Sequence, residues 1–283
     1  MVGILVAEVG DGMVAGALGK VLTIPFECVL TPLSSRADVA SRGVWQAVRS
    51  LYARAGWRGF SQGAALDLLR GGISRGLTIG LFEAYRLDLG LRDFEAGVLT
   101  GATVTLLTYP LEVLQTGRRS AVWAAGKVAS TSGPQASART IFRGLVARRG
   151  IVSGLYPALL PSLFGYAGFW GFQFACREPV MELTNSPFAT GFLGSTVALT
   201  ACNWNNCVRL TMQRRAVEGL PHVSWLATLR EEYRLGGLTR FYAGFGVRIL
   251  QTGLSMGAIF SVYDHLRLFR GWHRSEESGA AER

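Results

Sequence analysis

Six apolar stretches, each about long enough to cross a bilayer as a helix, alternate with polar connections along this chain. Read as helices they cover 10–34, 64–86, 93–117, 158–181, 186–214 and 245–268. The longer connections, after the first, third and fifth stretches, carry shorter amphipathic patterns near 43–54, 137–148 and 223–234. In the first of these, Trp45, Val48, Leu51 and Tyr52 recur at helical spacing beside arginines, which predicts a surface helix with one apolar stripe. Small residues four apart, Gly12 with Gly16, Gly97 with Gly101 and Gly191 with Ser195, fall in the first, third and fifth stretches. Such pairs let helix backbones approach closely in lipid, so they are read as helix-packing positions.

The pattern is threefold. The blocks Gly59-Phe60-Ser61-Gln62-Gly63, Gly154-Leu155-Tyr156-Pro157-Ala158 and Arg240-Phe241-Tyr242-Ala243-Gly244 align at offsets of 95 and 86 residues. The same offsets superpose Phe82-Glu83, Arg177-Glu178 and Tyr263-Asp264 near the ends of the second, fourth and sixth stretches. Upstream, Pro25-Phe26-Glu27, Pro110-Leu111-Glu112 and Trp204-Asn205-Asn206 occupy similar places in the three units. The expectation is a single domain over 1–283 with repeats at approximately 8–91, 92–185 and 186–272 and a polar C-terminal tail at 273–283. The fold class that follows is an all-α membrane protein: six tilted transmembrane helices in three pseudo-symmetric repeats, with three short amphipathic helices on the inner side.

Composition sharpens this. Of 283 residues 49% are hydrophobic and only 17% are charged, with a mean hydropathy of +0.27. A soluble domain carries about 25% charged residues, and a disordered polycation carries far fewer apolar ones, so both classes are excluded. The net charge of +10 is largely topological: 18 of the 29 basic residues lie in 35–58, 117–153 and 209–240. The positive-inside rule puts those segments in the inner compartment and both termini outside. A nucleic-acid binder would want its arginines on one solvated face, so no nucleic-acid binding is expected. All bases except Lys20 and Lys127 are arginines, which suits phosphate or carboxylate contacts and also follows from GC-rich coding. Cys28, Cys176, Cys202 and Cys207 stand singly in apolar stretches and read as core thiols. His222, His265 and His273 are dispersed, so no metal site, cofactor or catalytic pair is expected and the chain does not read as an enzyme. The N-terminus shows neither a secretory signal nor an Arg-rich transit peptide.

The repeats and their motifs together resemble the mitochondrial carrier family over essentially the whole chain. In that family each odd helix ends in Pro-x-[Asp/Glu]-x-x-[Lys/Arg] and each even helix in aromatic-[Asp/Glu]-x-x-[Lys/Arg]. Acid–base pairs between the motifs close rings at either end of a central cavity in turn. The outer motif is present as Phe82-Glu83-Ala84-Tyr85-Arg86 and Tyr263-Asp264-His265-Leu266-Arg267, whereas Arg177-Glu178-Pro179-Val180-Met181 keeps only its acid. The resemblance thus implies an outer gate of Glu83, Arg86, Glu178, Asp264 and Arg267. The inner, matrix-side motif lacks its base at Leu30 and Gln115, and the third copy has Arg209 without proline or acid. The implied matrix gate is Glu27, Glu112, Asn206 and Arg209, with at most one ordinary ion pair.

The family's substrate contacts lie twelve residues before the aromatic of each even-helix motif. Counting back reaches Arg70 with Gly71, Gly165 with Tyr166 and Gln251 with Thr252. Lys20 matches a cavity lysine of the ADP/ATP-exchanging members, although their arginine triplet is absent from the stretch Gly246-Val247-Arg248-Ile249-Leu250-Gln251. The resemblance therefore implies substrate binding by Lys20, Arg70, Gly165, Tyr166, Gln251 and Thr252. Arg70 has a second reading as the partner of Asp67 one turn earlier. Tyr166 either stacks on a base or packs, and Arg248 stands where it can compensate for Gln251.

Two functions stay open on these residues. One is an antiporter in the mitochondrial inner membrane, moving a small anion, a nucleotide or another phosphorylated solute, by alternating access. The other keeps the fold and makes the chain a structural subunit of a larger inner-membrane complex, of which a respiratory complex is one example, because the matrix motif is eroded. Both carry a multi-pass protein with its termini toward the intermembrane space, in contact with membrane lipid, including cardiolipin at the matrix-side helices.

Overall fold

Proline and left-handed turn residues set where the chain changes direction. The computed structural model describes residues 2–36, 39, 41–61, 64–124, 138–150 and 154–281. Among these lie α1 Val2–Ser35, α2 Val44–Ala55, α3 Ala64–Asp88, α4 Asp93–Ala124 and α5 Ala138–Arg149. They continue with α6 Leu159–Ala175, α7 Arg177–Thr184, α8 Pro187–Val217, α9 Trp225–Phe241 and α10 Phe245–Ala281, and a 3-10 turn Gly56–Ser61 follows α2. No strand occurs among the described residues. Lys127, Gln62, Gly63 and the first residue of the expected helix at 137–148 lie outside them.

Local chemistry explains the boundaries. The segments Val9–Val21 and Thr23–Ser35 of α1 meet at a 69° bend. Pro25 lacks an N–H and its ring crowds the carbonyl four residues earlier, at Val21, which places the bend there. Asn185 adopts the left-handed conformation at φ 48° after α7, and the Ser186 hydroxyl then accepts from the Ala189 N–H at 3.3 Å to start α8 at Pro187. The expected single helix over 158–181 is divided at Cys176, because Pro179 crowds the carbonyl of Ala175. The last helix runs on to Ala281 through the stretch expected as a polar tail, in which Arg, Glu and Ala are good helix formers and no proline intervenes. In α9 the helix breaks at Gly236 and Gly237, the latter at φ 59°.

Six long helices close a ring: α1 packs on α3, α3 on α4, α4 on α6, α6 on α8, α8 on α10, and α10 on α1. The small residues stand at the crossings. A Cβ on Gly97 would lie 2.6 Å from the Trp170 carbonyl oxygen, and one on Gly101 2.6 Å from that of Tyr166. Gly12 meets the Gly76 Cα in the same way at 2.9 Å, and Gly191 abuts the Met256 backbone. Ser195 is fully buried on α8.

The three short helices sit under the end of the bundle that carries Pro25 and Pro110, the end expected to face inward. Ala47 and Leu51 of α2 pack on Cys28, Val29 and Leu33; Leu145 of α5 packs on Tyr109 and Val113; Trp225 and Leu229 of α9 pack beside Cys207, Val208 and Met212. The stripe expected on α2 is split. Leu51 is buried and Val48 packs beside it, but Trp45 and Tyr52 are exposed, on a face suited to the membrane interface where amphipathic rings are favoured. Arg240 locks α9 to the inner end of α1 by donating to the Leu33 and Ser34 carbonyls at 3.2 and 3.1 Å while pairing with Glu232 at 2.8 Å.

By length and composition alone, α4 and α10 are apolar enough to cross a membrane, and bent α1 counts as a third if its two halves form one span. The other long helices fall short of that mark, although six spans are expected from the pattern. Intramembrane polar residues that face an internal cavity lower a helix's mean hydropathy without exposing it to lipid.

Candidate functional site

A polar cavity of about 200 Å³ lies inside the ring. All six residues expected to bind substrate line it: Lys20, Arg70, Gly165, Tyr166, Gln251 and Thr252. So do Arg75, Arg119, Arg209 and Arg248.

Beneath the cavity the carboxylates of α1 and α4 collect these bases. Glu27, carried toward the axis just past the α1 bend, pairs with Lys20 and with Arg119, and accepts from the Gln251 amide at 3.3 Å. Arg119 also pairs with Asp67 of α3 at 2.7 Å. Glu112 pairs with Arg209 and, at 2.8 Å, with Arg70, and accepts from the Gln213 amide at 2.8 Å. Arg209 donates to Asn206 at 2.6 Å, while the Gln115 amide donates to the Leu66 carbonyl at 2.8 Å.

This corrects the expectation of at most one pair. Glu27, Glu112 and Asp67 are all paired: Glu112 keeps the motif's own Arg209, and the further bases come from elsewhere. Arg119 stands one helical turn beyond Gln115, where the motif's base is missing, and Lys20 and Arg70 come down from the substrate positions. The alternative pairing of Arg70 with Asp67 does not form, since Asp67 is taken by Arg119.

Tyr166 lies between two guanidinium groups. Arg70 and Arg209 donate to its hydroxyl at 3.4 and 3.1 Å, and the Arg209 guanidinium carbon stands 4.7 Å from the ring centroid. Its ring is therefore covered by cations rather than free for a base. Gly165 makes room for Asn205: a Cβ there would meet the Asn205 amide nitrogen at 2.6 Å.

Above the cavity the roof is aromatic. Phe82 and Phe174 stack at 3.7 Å with Trp170 beside them, and Tyr263, Met256 and Ile259 complete the cluster. Beyond it Arg86 pairs with Glu178 at 2.5 Å and with Asp93 at 3.0 Å, and Glu83 faces Arg177 at 3.6 Å. The middle repeat thus supplies a base from the position where its aromatic was expected. Asp264 is half-buried on α10, and the side chain of Arg267 falls outside the described residues.

Arg75 and Arg119 were missed in the sequence. A signal for both was present, since any arginine within an apolar helix is a functional candidate. No group of histidine, cysteine and acidic residues suited to a metal occurs among the described residues.

A closed ring of six long helices around a cationic cavity, with ionic contacts at both ends, is the architecture of a membrane solute carrier. The family model described as "Mitochondrial carrier protein" matches residues 5–92, 88–187 and 182–273. The chain belongs to the mitochondrial carrier family, whose members are multi-pass proteins of the mitochondrial inner membrane and are transporters rather than enzymes. It is 24% identical to mitochondrial carrier protein CoAc2 of Zea mays, over 98% of this chain and 90% of that protein. It is 24% identical to mitochondrial thiamine pyrophosphate carrier 1 of Meyerozyma guilliermondii, over 89% of this chain and 90% of that protein. It is 25% identical to the mitochondrial adenyl nucleotide antiporter SLC25A25 of Homo sapiens, over 91% of this chain and 58% of that protein.

Proposed function

We propose that the chain is an antiporter for a phosphorylated organic anion, with Lys20, Arg70, Tyr166, Gln251 and Thr252 contacting the substrate. The observation that carries this is the charge balance of the cavity. Lys20, Arg70, Arg75, Arg119, Arg209 and Arg248 stand against Glu27, Glu112 and Asp67. Six bases against three carboxylates leave an excess of three positive charges in a low-dielectric site, which attracts a multivalent anion. The relatives named for thiamine pyrophosphate and adenyl nucleotide point to the same chemistry.

In this reading a substrate anion competes with Glu112 for Arg70. Taking Arg70 away loosens the inner network, and closure above the solute by the outer pairs becomes favourable. The basic inner segments support an orientation with the termini in the intermembrane space, and exposed Trp45 and Tyr52 support lipid contact at the matrix-side helices. The structural-subunit alternative takes its motive from the missing gate bases, and the pairing of Glu27 with Lys20 and Arg119 and of Glu112 with Arg209 and Arg70 weakens that motive.

Purified protein in liposomes loaded with ADP should exchange labelled nucleotide, with Arg70→Ala losing most of the rate. Absence of exchange with any phosphorylated solute, together with comigration with a large complex on native gels, would overturn the proposal.

A further inference from the structure

Four of the six cavity bases have a carboxylate within 4 Å: Lys20 and Arg119 at Glu27, and Arg70 and Arg209 at Glu112. Arg75 and Arg248 have none among the described residues. Arg75 lies with its guanidinium carbon 4.9 Å from the centroid of the Trp170 ring, and Arg248 donates to the Ser34 hydroxyl at 2.8 Å. A ring face and a neutral hydroxyl orient a cation without cancelling its charge. Uncompensated charge inside a span is costly, and a ligand anion is the partner that relieves it.

The two arginines line the same cavity from different helical levels. Arg70 and Gln251 are equivalent under the repeat offsets; Arg75 lies five residues toward the outer side of the first, and Arg248 three residues toward the inner side of the second. Eight residues of helical rise separate their levels by about 12 Å along the axis.

Beside Arg75 lies a built chamber. A branch of about 100 Å³ opens between α1, α3, α4 and α6, lined by Lys20, Arg70, Ser74, Arg75 and Trp170. Two glycines seat its cations. A Cβ on Gly16 would lie 2.5 Å from the Cβ and Cγ of Arg75, and one on Gly71 would collide with the Lys20 stem. Gly16 therefore does more than bring α1 to α3, since any larger residue there displaces Arg75. The Trp170 ring under the Arg75 guanidinium takes none of its N–H donors as a carboxylate would, and those donors suit bidentate phosphate binding.

We infer that the cavity has two separate anion subsites, an outer one at Arg75 over Trp170 and an inner one at Arg248, so that the preferred substrate carries two phosphate groups at opposite ends rather than one contiguous polyphosphate. The inference rests on the anion-carrier reading above and adds the spacing of the charges. Arg75 is not among the substrate contacts implied by the repeat motifs, and Arg248 enters there only as a substitute for Gln251.

The test uses two isomers, ADP and adenosine 3′,5′-bisphosphate, which carry the same atoms and two phosphates in different placement. Binding to the full-length protein in detergent is measured by calorimetry, and inhibition of nucleotide exchange is measured in liposomes. The bisphosphate is expected to bind about tenfold more tightly than ADP, the effect of one further charge-assisted contact. Arg75→Met and Arg248→Met are each expected to bring the two isomers within about twofold of each other. Equal affinities for the isomers in the wild-type protein, or a preference that survives both substitutions, would overturn the two-subsite inference while leaving the anion carrier intact. Failure of both isomers to bind would overturn the two-subsite inference, and absence of exchange with any phosphorylated solute would overturn the carrier reading as well. The isomer comparison on the wild-type protein stands whether or not the variants fold.

Discussion

Arg119 of α4 reaches across the inner end of the bundle to Glu27 of α1 and holds Asp67 of α3 at 2.7 Å with the same guanidinium. Three helices from two repeats are thereby tied at one point, and that point lies one turn away from where the family's motif puts a base. A carrier needs an inner closure strong enough to form and weak enough to break, and the position of the base matters less than its reach.

Arg119→Leu leaves two buried carboxylates short of a partner. Breaking a buried ion pair from one side typically costs about 3–5 kcal/mol. The variant is expected to unfold at a clearly lower temperature in detergent than the wild type, with Arg119→Lys intermediate. An unchanged melting temperature would mean that the network is not formed in the resting protein.

Glu112 is shared by Arg70 and Arg209, so Glu112→Gln frees both and adds one positive charge to the cavity. Anion affinity should rise several-fold, because the substrate no longer competes with a carboxylate. Turnover should fall, because the inner closure loses its second acid. Initial exchange rates over a range of substrate concentrations separate the two effects, and a rise in KM would contradict the competition.

At the outer end Arg86 joins Glu178 and Asp93, but its side chain is 37% exposed and that of Glu178 59%. Solvent screening keeps such a contact to about 0.2–1 kcal/mol. Arg86→Ala should therefore shift the melting temperature far less than Arg119→Leu, and comparison of the two variants under one protocol decides it.

Gly97 and Gly101 face the backbone of α6, and there is no flexible side-chain tip to give way. Gly101→Val should force α4 from α6 at a cost of about 1–3 kcal/mol or more, seen as loss of monodisperse protein in size-exclusion chromatography. A well-behaved Gly101→Val protein would show that the crossing is looser than drawn.

Cys202 lines the cavity, whereas Cys28 and Cys207 are buried away from it. A small methanethiosulfonate reagent should modify Cys202 and Cys176 before the buried pair, and a bound nucleotide should slow the reaction at Cys202 alone. Mass spectrometry of the labelled peptides identifies the site, and preferential labelling of Cys207 would contradict the packing of α8.

Much of the architecture was written in the linear pattern. Apolar length marked the long helices, the repeat offsets brought Arg70, Gly165 and Gln251 to one level, and Pro25 was the local signal for the bend in α1, because these properties depend on neighbours within a few residues or on a recurring period. The division at Cys176 was equally local, and Pro179 was its available signal. Tertiary structure alone decided who pairs with whom. Arg119 meets Glu27 across 92 residues of chain, Arg209 meets Glu112 across 97, and Arg70 leaves nearby Asp67 for Glu112 on another helix. A long flexible base takes whichever carboxylate the bundle brings within reach, so an eroded motif in the sequence coexists with a fully paired inner network in the folded protein.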